Sequence, residues 1–182
     1  MATESNDRKV IVSILMTSTL LTMLGIAGVL RGAYDLSQSP LPEDVRELYE
    51  PEEEVTDAQV QLFEAQVTNP YRRPLAAANV IVSGLVLIGS FLLSWRRKLA
   101  LWWIKQAVVA KLMWIAVYTI SLVSHVKLTF QPLPLGHPGG ALEEVMWSVI
   151  LLGTLSGALH AAAAYRATRP EIGRFIESSA DR

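Results

Sequence analysis

Four stretches almost free of charge, Val10 to Leu30, Leu75 to Trp95, Leu99 to Val126 and Val145 to Tyr165, leave this chain few ways to fold. About 20 apolar residues in a helix rising about 1.5 Å per residue cross a hydrocarbon layer of about 30 Å. The first, second and fourth stretches contain no Asp, Glu, Lys or Arg over 21 residues each, a length that core helices of soluble domains rarely reach without a charged face. The expected architecture is an all-α integral membrane protein. It is a four-helix transmembrane bundle in one domain over residues 1–182, with spans at about 10–30, 75–95, 99–126 and 145–165.

Arg8 and Lys9 precede the first stretch as they would in a secretory signal, but a cleaved apolar core is typically about 7 to 15 residues. The 21-residue run is therefore read as an uncleaved anchor. Cysteine is absent, which excludes disulfides, thiol catalysis and thiolate metal sites.

Basic residues set the orientation. With the amino terminus inside, nine lie on the inner side: Arg8, Lys9, Arg96, Arg97, Lys98, Arg166, Arg169, Arg174 and Arg182. Five lie outside, namely Arg31, Arg46, Arg72, Arg73 and Lys127. Short loops rich in Lys and Arg stay cytoplasmic, so the chain is expected to be a multi-pass protein of the cell membrane with both termini cytoplasmic and the Arg96 to Lys98 turn as the firmest anchor. The extracytoplasmic loop 31–74 carries ten acidic residues against four arginines, a net charge of −6. Such a face repels anionic headgroups and attracts cations or a basic partner. Pro40, Pro42 and Pro51 divide the loop into two expected short helices, Glu43 to Glu50 and Thr56 to Val67. The second outer loop, Phe130 to Gly140, is expected to be a compact turn, and the tail 166–182 either a short interfacial helix or a solvated segment.

In lipid, small and polar residues mark the faces where helices pack. Gly153, Gly157 and Ala161 give the fourth span a small-xxx-small run, suited to another span or a second copy. Asn79, Ser83, Ser90 and Ser94 form a polar stripe within about 60° on the second span. On the third, Lys111, Tyr118 and His125 share a face within about 40°, with Trp114 and Ser121 between them.

Two accounts fit Lys111. If Trp102, Trp103 and Lys105 lie in the inner interface, Lys111 is only about 8 Å deep and snorkels, which is the preferred account. In the other, Lys111 supplies the charge of an inner-half pocket for an anionic or quinone-like ligand, with Thr17, Ser90, Tyr118 and His160 as hydrogen-bonding neighbours.

Enzyme chemistry finds little footing. His125 and His160 lie near opposite ends of their spans, about 20 to 30 Å apart, too far to share a haem. His125, His137 and Glu143 or Glu144 match no compact metal-ligand motif. No GxSxG, HExxH or phosphate-binding glycine loop occurs. The basic residues are juxtamembrane clusters, so no nucleic-acid partner is expected. The leading expectation is a non-enzymatic scaffold or accessory subunit, without cofactor or metal. Its partners are the lipid bilayer and a membrane protein or a second copy. The alternative is a small transporter or ligand-binding protein built on Lys111.

Overall fold

The computed structural model describes residues 2–37, 66–130 and 140–180, with side chains over 7–37, 66–128 and 143–178. The two short helices expected within the acidic loop and the turn expected at 130–140 fall largely or wholly outside the described residues. Among those described, the chain is all-helical, with helices α1 (Ala2–Ser37), α2 (Arg72–Ser94), α3 (Ala100–Phe130), α4 (Gly140–Ala167) and α5 (Pro170–Ala180). The first four are long and apolar enough to cross a membrane. Each outruns its apolar stretch at one or both ends, because the flanking charged residues are good helix formers that solvent tolerates.

Local chemistry sets the boundaries. Asn69 Oδ1 accepts the Tyr71 N–H at 2.9 Å before α2. Pro74 falls in its first turn, where a missing N–H costs nothing. At the other end of α2, Arg97 N–H reaches Leu92 O and Arg96 N–H reaches Leu93 O, both at 3.0 Å. These are the paired bonds of a Schellman turn, and Arg96 takes its left-handed position with φ 53°. Pro170 opens α5, where its fixed φ suits a first helical residue.

The helices alternate in direction. α1 packs most closely on α2, α2 on α3 and α3 on α4, while α4 closes the ring on α1 through a much thinner contact. Glycines explain the tight α1–α2 seam: a Cβ at Gly25 would overlap Leu87, one at Gly28 would overlap Ser83 Oγ, and one at Gly32 would lie 2.8 Å from Ala76 O. Two apolar clusters fill the bundle. The larger joins Val10, Ile14, Leu21, Leu93, Ile104 and Ala163 to Ile172 and Ile176 of α5, at the end that holds both termini. The smaller joins Leu122, Val126, Val145 and Val149 of α3 and α4, toward the opposite end.

The tail is thus helical from Pro170 to Ala180 and docks on the bundle through Ile172 and Ile176, each 1% exposed. Around the outside, exposed Leu15, Met23, Ile81, Met113, Val117 and Leu155 form an apolar band. Exposed Trp95, Trp102 and Tyr165 rim it at the termini end, and Tyr34, Tyr71 and Trp147 at the other. Aromatic rims around an apolar girdle are what a bilayer selects at its two interfaces.

Candidate functional site

Lys111 turns inward. Its side chain is 3% exposed, and Nζ donates to Asn79 Oδ1 at 2.5 Å and to Ser83 Oγ at 2.8 Å, both on α2. The ammonium also stands 4.4 Å from the centroid of the Trp114 ring. Asn79 completes the junction by donating its amide N–H to Gly28 O of α1 at 3.0 Å, and Ser83 Oγ donates to Asn79 Oδ1 at 3.2 Å. Three helices therefore meet at one lysine. Gly28 makes this possible, since a Cβ there would also come within 3.1 Å of Lys111 Nζ. The preferred expectation of a snorkelling Lys111 does not describe this geometry. Inward partners satisfy the ammonium at its own depth, so the stem has no reason to extend toward an interface.

Beyond Lys111 the polar face of α3 continues as a seam. Trp114 stacks on Tyr118 with centroids 5.1 Å apart and donates its indole N–H to Leu75 O at 2.9 Å. Arg31 Nη2 of α1 donates to the Tyr118 hydroxyl at 3.0 Å, with the guanidinium carbon 5.4 Å from the ring centroid. Further along, Asn69 Nδ2 donates to Ser121 Oγ at 3.4 Å, and Thr68 Oγ1 lies 3.0 Å from His125 Nε2.

The other residues proposed as Lys111 neighbours hydrogen-bond other partners or none. Ser90 Oγ donates to Ser18 O at 2.7 Å and meets Thr22 Oγ1 at 2.5 Å, tying α2 to α1. His160 Nδ1 donates to Ser156 O at 2.7 Å, while its Nε2 and Thr17 Oγ1 are buried without a hydrogen-bond partner. Neither Thr17, Ser90, Tyr118 nor His160 hydrogen-bonds Lys111. On α4, Gly153 faces Thr119 Oγ1 of α3 and Gly157 faces Leu112 of α3, while Ala161 is exposed.

Asn79 was visible in the stripe on α2, but pairing it with Lys111 needed the register of α2 against α3. Arg31, by sequence one of the outer-side basic residues, is instead a residue of α1 that reaches Tyr118. A clue lay in the absence of any helix breaker between Gly32 and Ser37, which lets α1 carry Arg31 as a helical residue one turn from Gly28.

Two small crevices flank the Trp114–Tyr118 stack. One, of about 60 Å³, is lined by Asp35, Asn69 and Arg72 among others, and one, of about 80 Å³, by Arg31, Thr119 and Ser156 among others. Among the described residues no group of three His, Asp or Glu side chains converges to hold a metal, and no catalytic set is formed. Compared with known protein families, curated proteins and solved structures, the chain matches none.

Proposed function

We propose that this chain is a non-enzymatic multi-pass membrane protein, a scaffold or accessory subunit of a cell membrane with both termini in the cytoplasm. One observation carries the reading. The three N–H directions of the Lys111 ammonium are matched by Asn79 Oδ1, Ser83 Oγ and the Trp114 face, so its binding capacity is used within the bundle. A lysine poised for a transported anion would keep a donor free toward a cavity. The exposed face of α4, with Trp147, Leu151, Leu155 and Leu159, supports a second role: it offers an apolar helix surface to lipid, a partner helix or another copy.

The alternative, a small transporter or ligand-binding protein, draws support from the unpartnered Thr17 Oγ1 and His160 Nε2, two buried polar atoms that a ligand group would satisfy. Purification of the native chain in mild detergent followed by native mass spectrometry separates the readings. Co-purifying subunits that persist in Lys111→Met support the scaffold. A small molecule bound to the wild type and lost in a folded Lys111→Met variant overturns it. Reporter fusions within the Arg96 to Lys98 turn test the orientation, with a cytoplasmic signal expected.

A further inference from the structure

Between α3 and α4, with Arg31 of α1 at its edge, lies a crevice whose walls are unlike the rest of the bundle. Arg31, Gln66, Tyr118, Thr119 and Ser156 line it, together with mostly apolar residues of α3 and α4. Arg31 has no carboxylate within 4 Å among the described residues; its one hydrogen-bonded partner is the Tyr118 oxygen. Because that oxygen accepts from Arg31, the phenolic proton stays available to donate. The hydroxyls of Thr119 and Ser156 make no hydrogen bond among the described residues. The nearest acid along α1, Asp35, lines the adjoining crevice beside Arg72. A guanidinium and three hydroxyls converge with no negative charge among them, a locally cationic spot on an otherwise acidic side, and Lys111 Nζ stands about one turn of α1 deeper, beside Gly28.

Depth narrows the ligand. Gly28 is level with Asn79 through their hydrogen bond, and Asn79 lies seven residues, about 10 Å, below Arg72 at the loop end of α2. Arg31, three residues beyond Gly28, is therefore about 6 Å below Arg72, the depth at which headgroup meets hydrocarbon. We propose that this crevice binds a phosphate-class oxyanion, carried on a phospholipid of the leaflet at the loop end, with Arg31 supplying the charge and Tyr118 a directed hydrogen bond. Its volume of about 80 Å³ suits a tetrahedral oxyanion or a few waters rather than a larger headgroup. Arginine fits the task because its planar fork bonds phosphate oxygens in pairs.

The inference rests on the membrane reading above but fails separately from it. Full-length protein in detergent is mixed with equal amounts of dioleoyl phosphatidylglycerol and dioleoyl phosphatidylcholine and examined by native mass spectrometry. Wild type is expected to retain phosphatidylglycerol preferentially, and Arg31→Gln to lose about tenfold of that retention, as for removal of a charged hydrogen-bonding group. Tyr118→Phe, which keeps the ring, should give a smaller loss. Lys105→Gln, an exposed charge toward the termini end, should give none. Equal retention by wild type and Arg31→Gln, or equal losses in Arg31→Gln and Lys105→Gln, overturns the site. Lipid retention unchanged in millimolar inorganic phosphate supports the lipid as carrier; displacement by phosphate overturns the carrier in favour of a free oxyanion at the same residues. Recovery of soluble chain without detergent would instead defeat the membrane reading.

Discussion

Lys111 Nζ lies 2.5 Å from Asn79 Oδ1 across the α2–α3 interface, and the two side chains differ in what each leaves behind when removed. Without Lys111, Asn79 keeps Ser83 Oγ as a donor at 3.2 Å and Gly28 O as an acceptor. Without Asn79, a buried ammonium keeps one hydroxyl and a ring face. Asn79→Leu is therefore expected to destabilise the bundle by about 3 kcal/mol, the range for stranding a buried charge. Lys111→Met, which fills similar space with an apolar chain, should cost under about 1.5 kcal/mol. The double variant should recover most of the loss. Unfolding by SDS titration in mixed micelles, followed by circular dichroism, measures all three; a Lys111→Met cost equal to that of Asn79→Leu would refute the asymmetry.

Close approach of α1 to α2 yields a second expectation. A Cβ at Gly32 would stand 2.8 Å from a backbone oxygen, Ala76 O, which cannot swing aside, whereas one at Gly157 would stand 3.5 Å from Leu112 Cδ2, an ordinary contact. Gly32→Ala should cost about 1 to 3 kcal/mol through overpacking. Gly157→Ala should be near neutral. The same unfolding titration ranks them, and a larger effect at Gly157 would show that its face meets more than the side chain of Leu112.

These two positions also show what the sequence could and could not reveal. The number and extent of the apolar helices were legible because the run lengths of uncharged residues depend on nothing but composition along the chain. The polar stripe of Asn79, Ser83 and Ser90 was legible for the same reason, since one helix's periodicity defines its own faces. Which faces meet was not. Gly153, Gly157 and Ala161 stand out by regular spacing, yet the closest seam is formed by Gly25, Gly28 and Gly32 at mixed intervals of three and four. Their effect depends on the rotation of α2, which places Leu87, Ser83 and Ala76 opposite them. Lys111 was ambiguous because burial and snorkelling differ only in the direction of a flexible stem. A partner on another helix decides between them.

Helix α5 is held to the bundle by Ile172 and Ile176, each 1% exposed, with Arg96 stacked 5.2 Å from the Phe175 ring centroid. Burial of one isoleucine is worth about 2 kcal/mol, so a charge at that position undocks the helix without unfolding the four longer ones. Ile176→Asp is expected to accelerate tryptic cleavage after Arg174 several-fold while leaving helical ellipticity nearly unchanged. Loss of the folded bundle in this variant would mean that α5 is integral to the core rather than an attached strap.

Arg96 combines a backbone cost with a side-chain gain, and a pair of substitutions separates them. Its φ of 53° is a conformation that a residue with a Cβ adopts at about 1 kcal/mol, whereas glycine adopts it freely. Its guanidinium contributes about 0.5 to 1 kcal/mol over Phe175 at an exposed site. Arg96→Ala keeps the strain and loses the stacking, so it should lower stability by about 0.5 to 1 kcal/mol. Arg96→Gly loses both and should come out close to the native protein, about 1 kcal/mol above the alanine variant. Thermal unfolding of the three proteins in one detergent gives the order. If alanine and glycine prove equal, the Schellman turn between α2 and α3 stores no strain, and the hydrogen bonds of Arg96 and Arg97 to Leu93 and Leu92 alone account for its shape.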